Sequence, residues 1–510
     1  IELAAARTDQ AAPQTLLRQL CEHTDALGPG PRDRPVRQQT LRGAVDWSYT
    51  LLAAPDQRLF STLAVFAGGF TVASARAVAP PDVSTVDGIE ERLAALVHKS
   101  LLAIEPDPDG AARYQMLETI RGYAAERLAA QPDCDAAYRR HAAFHIELAE
   151  QSAAGLTGPD QADWAKRLDQ EYRNLRAAFM WTLAGGDVAG AARVCLGLWR
   201  YWRNGSHIRE GREWLDQVLA APHQLPAGTR TSLLYAAAIL AATLTEHEAA
   251  TALGEESLRL ADEHGDRQAS AQARNALGIA AIGAGAYPRA AEHFQHSLAS
   301  WRELDQPQGT AIALGNLTKL ALRLGDVDSA EEYANQCLAL ERAAGNTRGI
   351  LLSLECLGQV RRAQGQLDAA RTALAESLTL SRTVGDVFGE ATAQYQLGLV
   401  AQAGGDRAEA LRLLTAALGR WHRLGDHEDL AMALDAVAGL LVADRPELAV
   451  RILFTVDWLR DRYRLPLPPE TEAGRAATLA AGRVALDEAR FSAAGGHALL
   501  DSVVDEILEQ

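Results

Sequence analysis

Residues 275–294 read NALGIAAIGAGAYPRAAEHF, and the pattern returns as ECLGQVRRAQGQLDAARTAL at 355–374 and as YQLGLVAQAGGDRAEALRLL at 395–414. Each copy has a Leu-Gly step, a glycine seven residues later and an alanine five residues after that. Along the chain the second residue of the step recurs every 40 residues, at Gly278, Thr318, Gly358, Gly398 and Ala438. Self-similarity at a fixed period of this length is the signature of a repeat architecture.

Three further sets of residues keep the same spacing. The alanines are Ala290, Ala330, Ala370 and Ala410. A second set predicts the turn inside each helix pair, at Gly285, Gly325, Gly365 and Gly405. A third set predicts the turn between pairs, at Gly265, Asp305, Gly345, Gly385 and Gly425. Because one helix pair cannot bury its own apolar face, the pairs must stack, and the sequence predicts an α-solenoid over 229–465.

Composition favours an all-α fold, since Ala and Leu dominate and aromatic residues make up only 6% of the 510 residues. No apolar run approaches the roughly 20 residues of a membrane span. The five cysteines are scattered and form no CxxC pair, so we expect a reducing cytoplasm rather than a disulfide framework. The formal net charge of -16 argues against a main surface that grips phosphate backbone.

The region before the repeats has a different pattern. Apolar spacing predicts helices over 40–52, 56–66 and 87–97, with Thr71 as the N-cap of a short helix that reaches Val78. Two alternating runs, 100–105 and 112–117, flank a Pro-Asp-Pro-Asp-Gly turn. This is the layout of a winged helix-turn-helix.

These patterns predict five regions. We expect a remnant of a preceding module at 1–30, a winged helix at 36–130, a helical linker or degenerate repeats at 135–228, the repeat array at 229–465 and a helical cap at 466–510.

The repeats resemble tetratricopeptide repeats, with longer helices than usual. Four segments resemble a series found in large bacterial regulators built on STAND-type ATPases, including LuxR-type and antibiotic-regulatory ones: QTLRGAVDWSY at 39–49, LAVFAGGFT at 63–71, LVHKSLL at 96–102 and YQMLETIRGYA at 114–124. EYRNLRAA at 171–178 resembles the linker that opens the repeat region, and 1–7 is similar to the last helix of the ATPase module.

The resemblance implies the sensor and switch arm of an ATP-dependent transcriptional regulator. Its partners would be a small-molecule inducer, a protein or a peptide, together with the ATPase module, and the full-length protein could oligomerise. The other class left open is a protein-interaction scaffold without switching. No G-x-x-x-x-G-K-[ST] motif occurs, so we expect no cofactor here, and ATP-binding and DNA-binding domains are expected outside these residues. Leu117 stands where related switches carry a nucleotide-sensing histidine.

The first helix of each repeat supplies the candidate binding residues, because in tetratricopeptide arrays it lines the concave face. They are Asn275, Lys319, Arg323, Glu355, Gln359, Arg362, Tyr395 and Gln402. Lys319, Arg323 and Arg362 form a basic patch in an acidic chain, and arginine forks suit carboxylate or phosphate groups. The hypothesis is an anionic ligand or acidic peptide segment across these repeats. The alternative is that these eight residues are ordinary solvent-exposed helix positions without a ligand.

A second candidate is an aromatic ligand pocket between residues 164 and 214. Its members would be Trp164, Trp181, Trp199, Tyr201, Trp202 and Trp214. The alternative is that these large side chains seal the junction before the array.

Other chemistry has weak support in the sequence. His141 and His145 have zinc-compatible spacing but no third ligand, so we interpret them as a solvated helix face. Residues 36–130 hold nine basic and eleven acidic residues, and the candidate recognition helix 87–97 carries three acids against one arginine. We therefore expect no direct nucleic-acid binding, no membrane binding and no enzyme active site within these residues.

We predict that this chain neither binds nor hydrolyses ATP by itself, because a P-loop is what cradles the phosphates. Calorimetric titration with ATP and Mg²⁺ should give only the heat of dilution. A site of micromolar affinity would contradict the prediction.

Overall fold

The computed structural model describes residues 41–83, 88–106, 112–157, 160–205, 207–221, 225–463, 465, 467, 469–494 and 500–509. The predicted module remnant at 1–30 lies outside them. Helices and one small hairpin make up the described part, which confirms the all-α prediction. The chain divides into two compact units, the first formed by 1–156 with 163–246 and the second by 157–162 with 247–510.

The first unit begins with the predicted winged helix. Its described elements are α1 (Leu41–Thr50), α2 (Ala54–Thr62), α3 (Val72–Val78), α4 (Gly88–His98), β1 (Ala103–Pro106), β2 (Ala112–Gln115) and α5 (Glu118–Ala129). Thr71 caps α3 as predicted, because its hydroxyl accepts a hydrogen bond from the Ser74 amide while the Ser74 hydroxyl accepts one from the Thr71 amide. The hairpin is antiparallel with Ile104 opposite Tyr114.

The winged helix has its own apolar core. Leu59, Phe60, Ile89 and Leu93 are fully buried in it. Phe70 forms a backbone bridge to Tyr114, which ties the loop before α3 to the hairpin. The predicted recognition helix corresponds to α4, and its expected first residue, Asp87, lies outside the described residues.

Five further helices complete the first unit. They are α6 (Cys134–Gly155), α7 (Gln161–Ala184), α8 (Val188–Asn204), α9 (Ile208–Ala220) and α10 (Ala227–Thr243). α6 packs on α3 and on α8, while α10 packs on α8 and α9. Gly197 permits the α6–α8 approach, because a Cβ there would lie 2.2 Å from the Ala149 carbonyl oxygen.

The second unit is the stack of helix pairs. Its helices are α11 (His247–Glu263), α12 (Arg267–Gly283), α13 (Tyr287–Glu303), α14 (Pro307–Leu324), α15 (Val327–Ala344), α16 (Thr347–Ala363), α17 (Leu367–Val384), α18 (Val387–Ala403), α19 (Arg407–Leu424), α20 (His427–Leu441), α21 (Pro446–Tyr463), α22 (Pro469–Ala485), α23 (Glu488–Ala494) and α24 (Leu500–Leu508). Five pairs, from α12 with α13 to α20 with α21, have the predicted 40-residue spacing.

The Leu-Gly step is the point of closest approach within a pair. A Cβ on Gly278 would lie 2.4 Å from the Phe294 ring, and one on Gly358 would lie 2.5 Å from the Leu374 side chain. Thr318 occupies the same position in the second pair and faces the smaller Ala334 in register. The crossing therefore depends on a small residue on at least one side.

The turn residues behave as the spacing predicts. All four glycines of the turn inside a pair have positive φ, between 72° and 79°. Asp305 takes the position of a glycine between pairs and keeps a φ of 51°. Positive φ favours glycine, because glycine has no Cβ to clash with the backbone.

The end of the stack follows the repeat register. α22 packs on α20 and α21, so it occupies the place of a sixth first helix. The Asp435 carboxylate accepts hydrogen bonds from the guanidinium groups of Arg475, at 2.5 Å, and Arg460, at 3.0 Å. Leu508 on α24 lies against the Gly419 backbone. Among the described helices, none combines the length and apolar character needed to cross a membrane.

Candidate functional site

The eight residues predicted to face the groove lie on four first helices, α12, α14, α16 and α18, and we call them the first-helix set. These helices contact one another in succession. Asn275 and Glu355 are buried, Gln359, Arg362 and Tyr395 are half-buried, and Lys319, Arg323 and Gln402 are exposed. The set therefore runs from the floor of the helix layer to its solvent surface.

Some of these side chains have structural partners. Asn275 accepts a hydrogen bond from the Asn316 amide across neighbouring first helices, at 2.7 Å. The Tyr395 ring packs against Trp421 with ring centroids 5.4 Å apart. These two residues therefore also hold the array together.

The three cations of the set are not neutralised by the array. Within the described residues, Lys319, Arg323 and Arg362 have no carboxylate oxygen within 4.0 Å, whereas eight arginines of the neighbouring repeats do. Burial lowers the pKa of Arg362, and its Nε is buried without a hydrogen-bond partner. The site thus holds uncompensated positive charge.

Glu355 is the buried acid of the first-helix set. It is 6% exposed, and burial raises the pKa of its carboxyl to about 8 even though Lys319 and Arg348 lower it. Asp386 and Asp429 raise it further. At neutral pH this carboxyl is mostly protonated.

A second polar centre lies in the first unit, at Asn174 on α7. The Asn174 side-chain oxygen accepts hydrogen bonds from the amides of Ala67 and Gly68, at 3.0 and 3.1 Å, and its nitrogen donates to the Gly69 carbonyl at 2.9 Å. This one side chain thus provides hydrogen-bond partners for three backbone groups of the loop before α3. Its own burial is complete.

Arg113 in β2 and Glu171 on α7 extend this centre. Their side chains form an ion pair at 2.7 Å, in which Arg113 is 11% and Glu171 5% exposed. Arg113 also donates to the Gly69 carbonyl, and Asn174 donates to the second Glu171 oxygen at 2.8 Å. We call Arg113, Glu171 and Asn174 the clasp, because they join the hairpin, the loop and α7.

The electrostatics of the clasp favour a charged carboxylate. Burial alone would raise the pKa of Glu171, but His145, Arg113 and Asn174 outweigh it and hold the pKa at about 2. From the sequence, residues 171–178 are assigned only a resemblance to a linker, and the clasp is not predicted. The Glu-x-x-Asn spacing could have indicated it, because residues three apart lie on one helix face.

The two histidines on α6 do not form a solvated face, so that interpretation is wrong. His141 and His145 are 2% and 0% exposed, with ring centroids 4.2 Å apart. Burial, and then the nearby His145, lower the pKa of His141 well below its usual value. In the part of the chain that the structure describes, no three His, Cys, Asp or Glu side chains are grouped to hold a metal ion.

The aromatic side chains between 164 and 214 mostly fill space. Trp214 stacks on Phe179 at 4.1 Å and meets Trp202 edge-on at 5.3 Å. Trp199, Tyr201, Trp202 and Trp214 are buried, whereas Trp164 and Trp181 are half-buried. Four of the six side chains are thus packed inside the first unit, and the aromatic pocket stays a prediction.

The recognition helix α4 presents acids to solvent. Glu90 and Glu91 are exposed, and Arg92 pairs with Asp56 on α2 at 2.5 Å. The arginine of the hairpin is also paired, since Arg113 binds Glu171 in the clasp. Within the described residues of α4 and the hairpin, the arginines are Arg92 and Arg113, and both form ion pairs.

Comparison with known proteins confirms the two modules. A family model described as a winged helix-turn-helix domain matches residues 52–129, and a tetratricopeptide repeat model matches 269–343 and 349–418. Both modules are non-catalytic.

The relatives come from mycobacteria. A Mycobacterium tuberculosis protein described provisionally as an HTH-type transcriptional regulator is 36% identical over 289 residues, which is 54% of this chain and 32% of that protein. An uncharacterized protein of the same organism is 40% identical over 147 residues, 28% of this chain and 37% of that protein. The aligned part thus spans only about a third of either relative.

A solved structure shares the fold. The STAND protein with a tetratricopeptide repeat sensor from Pyrococcus horikoshii aligns over 100% of this chain and 73% of its own, with a TM-score of 0.55 and 15% identity. The chain therefore contains a winged helix-turn-helix domain and tetratricopeptide repeats, and over 54% of its length it is similar to a protein described provisionally as an HTH-type transcriptional regulator.

We predict that Asn174→Ala destabilises the first unit by about 3 kcal/mol, because three buried backbone groups lose their partners. Hydrogen exchange should rise at residues 67–70 and in the hairpin. Asn335→Ala, an exposed asparagine on α15, is the control and should change the free energy of unfolding little. Unchanged protection at 67–70 would show that the clasp is not needed.

We also predict no sequence-specific DNA binding, because α4 is acidic and the wing arginine is engaged. Mobility-shift assays on a pool of random duplexes at physiological salt should enrich no sequence. Enrichment of one sequence, with affinity that falls steeply with salt, would contradict this.

Proposed function

We propose that this chain is the sensor and switch arm of a multidomain transcriptional regulator. Its repeats bind a small-molecule inducer or a protein or peptide partner, and the winged helix relays that event to an ATPase module. The homology to HTH-type regulators supports the class. The observation that carries the proposal is the group of unpaired cations formed by Lys319, Arg323 and Arg362 on neighbouring first helices.

Charge favours an acidic ligand at this place. Lys319 and Arg323 are four residues apart on α14, so their side chains lie one turn apart on the same face. Arg362 lies on α16, which contacts α14. Clustered like charges repel, and a carboxylate or phosphate group relieves the repulsion while matching the arginine fork. In a chain with a net charge of -16, such a cluster is a local exception.

The clasp would transmit a movement of α7 to the winged helix. Since Arg113, Glu171 and Asn174 fix the hairpin and the loop before α3 to α7, these parts respond as one body. A ligand changes a regulator only through different affinities for its two states. The expected partner of the winged helix is the ATPase module, whose assembly with other copies would then follow.

The test replaces Lys319, Arg323 and Arg362 together with alanine. Hexaglutamate and citrate serve as acidic probes in calorimetry at low salt. Loss of three charge contacts of about 0.5–1 kcal/mol each should weaken binding roughly tenfold or more. The folded state should survive, because Lys319 and Arg323 are exposed and the half-buried Arg362 has no ion pair to lose within the described residues. Circular dichroism checks this.

The matched control removes three exposed arginines of second helices, Arg289, Arg342 and Arg371, and so has the same net charge. It should bind the probes as the wild type does. Equal binding by both variants would overturn the groove assignment. Hydrogen exchange at 67–70 with and without probe separates a relay, which changes protection there, from a scaffold, which does not.

A further inference from the structure

One position of the repeat lies on every first helix of the stack. It is occupied in turn by Asn275, Gly315, Glu355, Tyr395 and Asp435, and α22 continues the register with Arg475. We call it the inner position. Three of its residues, Asn275, Glu355 and Asp435, are buried hydrogen-bond acceptors.

Two of these acceptors receive a hydrogen bond from the first helix of the following pair. Asn316 on α14 donates to Asn275 on α12. Arg475 on α22 donates to Asp435 on α20, and its guanidinium also reaches the Leu453 carbonyl and the Asp457 carboxylate. The array therefore supplies a donor from the following helix wherever the inner position carries an acceptor, except at Glu355.

Glu355 lacks that donor. Its carboxyl group makes no hydrogen bond or ion pair within the described residues, and Oε1 is fully buried. The residue in register with Asn316 is Gln396, whose Oε1 is also buried without a partner. The Oε1 of Gln394, on the same helix α18, is a third such acceptor. Buried polar groups without hydrogen-bond partners are costly, and this holds for the protonated as well as the ionised Glu355 carboxyl.

We propose that Glu355 anchors a cation subsite in the groove, which takes a primary amine or guanidinium group of the bound ligand. The inference rests on the proposed function, since it assigns the ligand a positive group beside the acidic group held by Lys319, Arg323 and Arg362. The ligand class is therefore a zwitterion. The internal precedent is the Asp435–Arg475 pair, where the same position binds a guanidinium.

Binding of a cation here is coupled to a proton. With a pKa of about 8, the Glu355 carboxyl carries a proton at pH 7. The charged groups around it are Lys319 on α14, Arg348 on its own helix and Asp386 before α18. Asp429 on α20 is a second titratable neighbour, because burial raises its pKa to about 8. An incoming cation stabilises the carboxylate and so displaces its proton to the buffer. Near pH 9.5 the carboxylate is already ionised and no proton leaves.

The experiment titrates the full chain with agmatine, with succinate as the anionic probe and 1,4-butanediol as the neutral one. Calorimetry in two buffers of different ionisation enthalpy counts the protons released. Agmatine should bind with release of close to one proton at pH 7 and none at pH 9.5. Glu355→Gln, which keeps the shape of the side chain, should weaken agmatine binding about tenfold or more and abolish the proton release.

The controls separate this inference from the proposed function. Glu332→Gln, at an exposed position on the second helix α15, should bind agmatine as the wild type does. The variant without Lys319, Arg323 and Arg362 should lose succinate binding and keep agmatine binding. Circular dichroism and the melting temperature check that each variant is folded.

Two results would overturn the cation subsite: equal agmatine binding by wild type and Glu355→Gln, or no agmatine binding by the wild type. If succinate binding still depends on the three cations, the proposed function stands and only the subsite falls. If agmatine binds through Glu355 but acidic probes do not bind, the subsite stands and the acidic-ligand part of the proposed function falls.

Discussion

The second unit depends on one steric constraint, the close crossing of two helices at the Leu-Gly step. A methyl group on Gly278 or Gly358 would overlap the side chain of the paired helix. Because interiors are close-packed, this contact fixes how the helices of a pair cross, and repetition every 40 residues then places the first helices side by side. The inner position and the first-helix set are consequences of that arrangement, since residues 40 apart become neighbours in space.

The first unit has a polar counterpart to this apolar crossing. The loop from Ala67 to Gly69 exposes backbone groups that a helix or strand would have satisfied, and Asn174 satisfies them from 105 to 107 residues away. Arg113 and Glu171 add a buried ion pair. Removing one member of such a pair leaves an uncompensated buried charge. We therefore expect the loss of any one clasp residue to weaken the contacts of the other two.

Ion pairs neutralise most, but not all, of the arginines in the array. Most arginines of the repeats are neutralised by a carboxylate, usually on a neighbouring helix, and these pairs are exposed enough to contribute little to stability. On the first helices, Lys319, Arg323 and Arg362 lack an acid within the described residues, as some second-helix arginines also do. Glu355 is in addition a buried acid without a partner there. Both features lie within the second and third helix pairs. The proposed binding face accounts for them together, because the missing partners would come with the ligand.

The sequence by itself determined the period, the turns and the helix-to-hairpin order. These are local or periodic properties, since spacing and glycine placement depend on neighbours in the chain. Only the tertiary structure decided that His141 and His145 are buried, that Asn174 reaches back to Gly68, and that Glu355 lacks the donor that Asp435 has. Burial and pairing of a polar side chain depend on which distant segment packs against it, and the residue pattern of one helix does not contain that information.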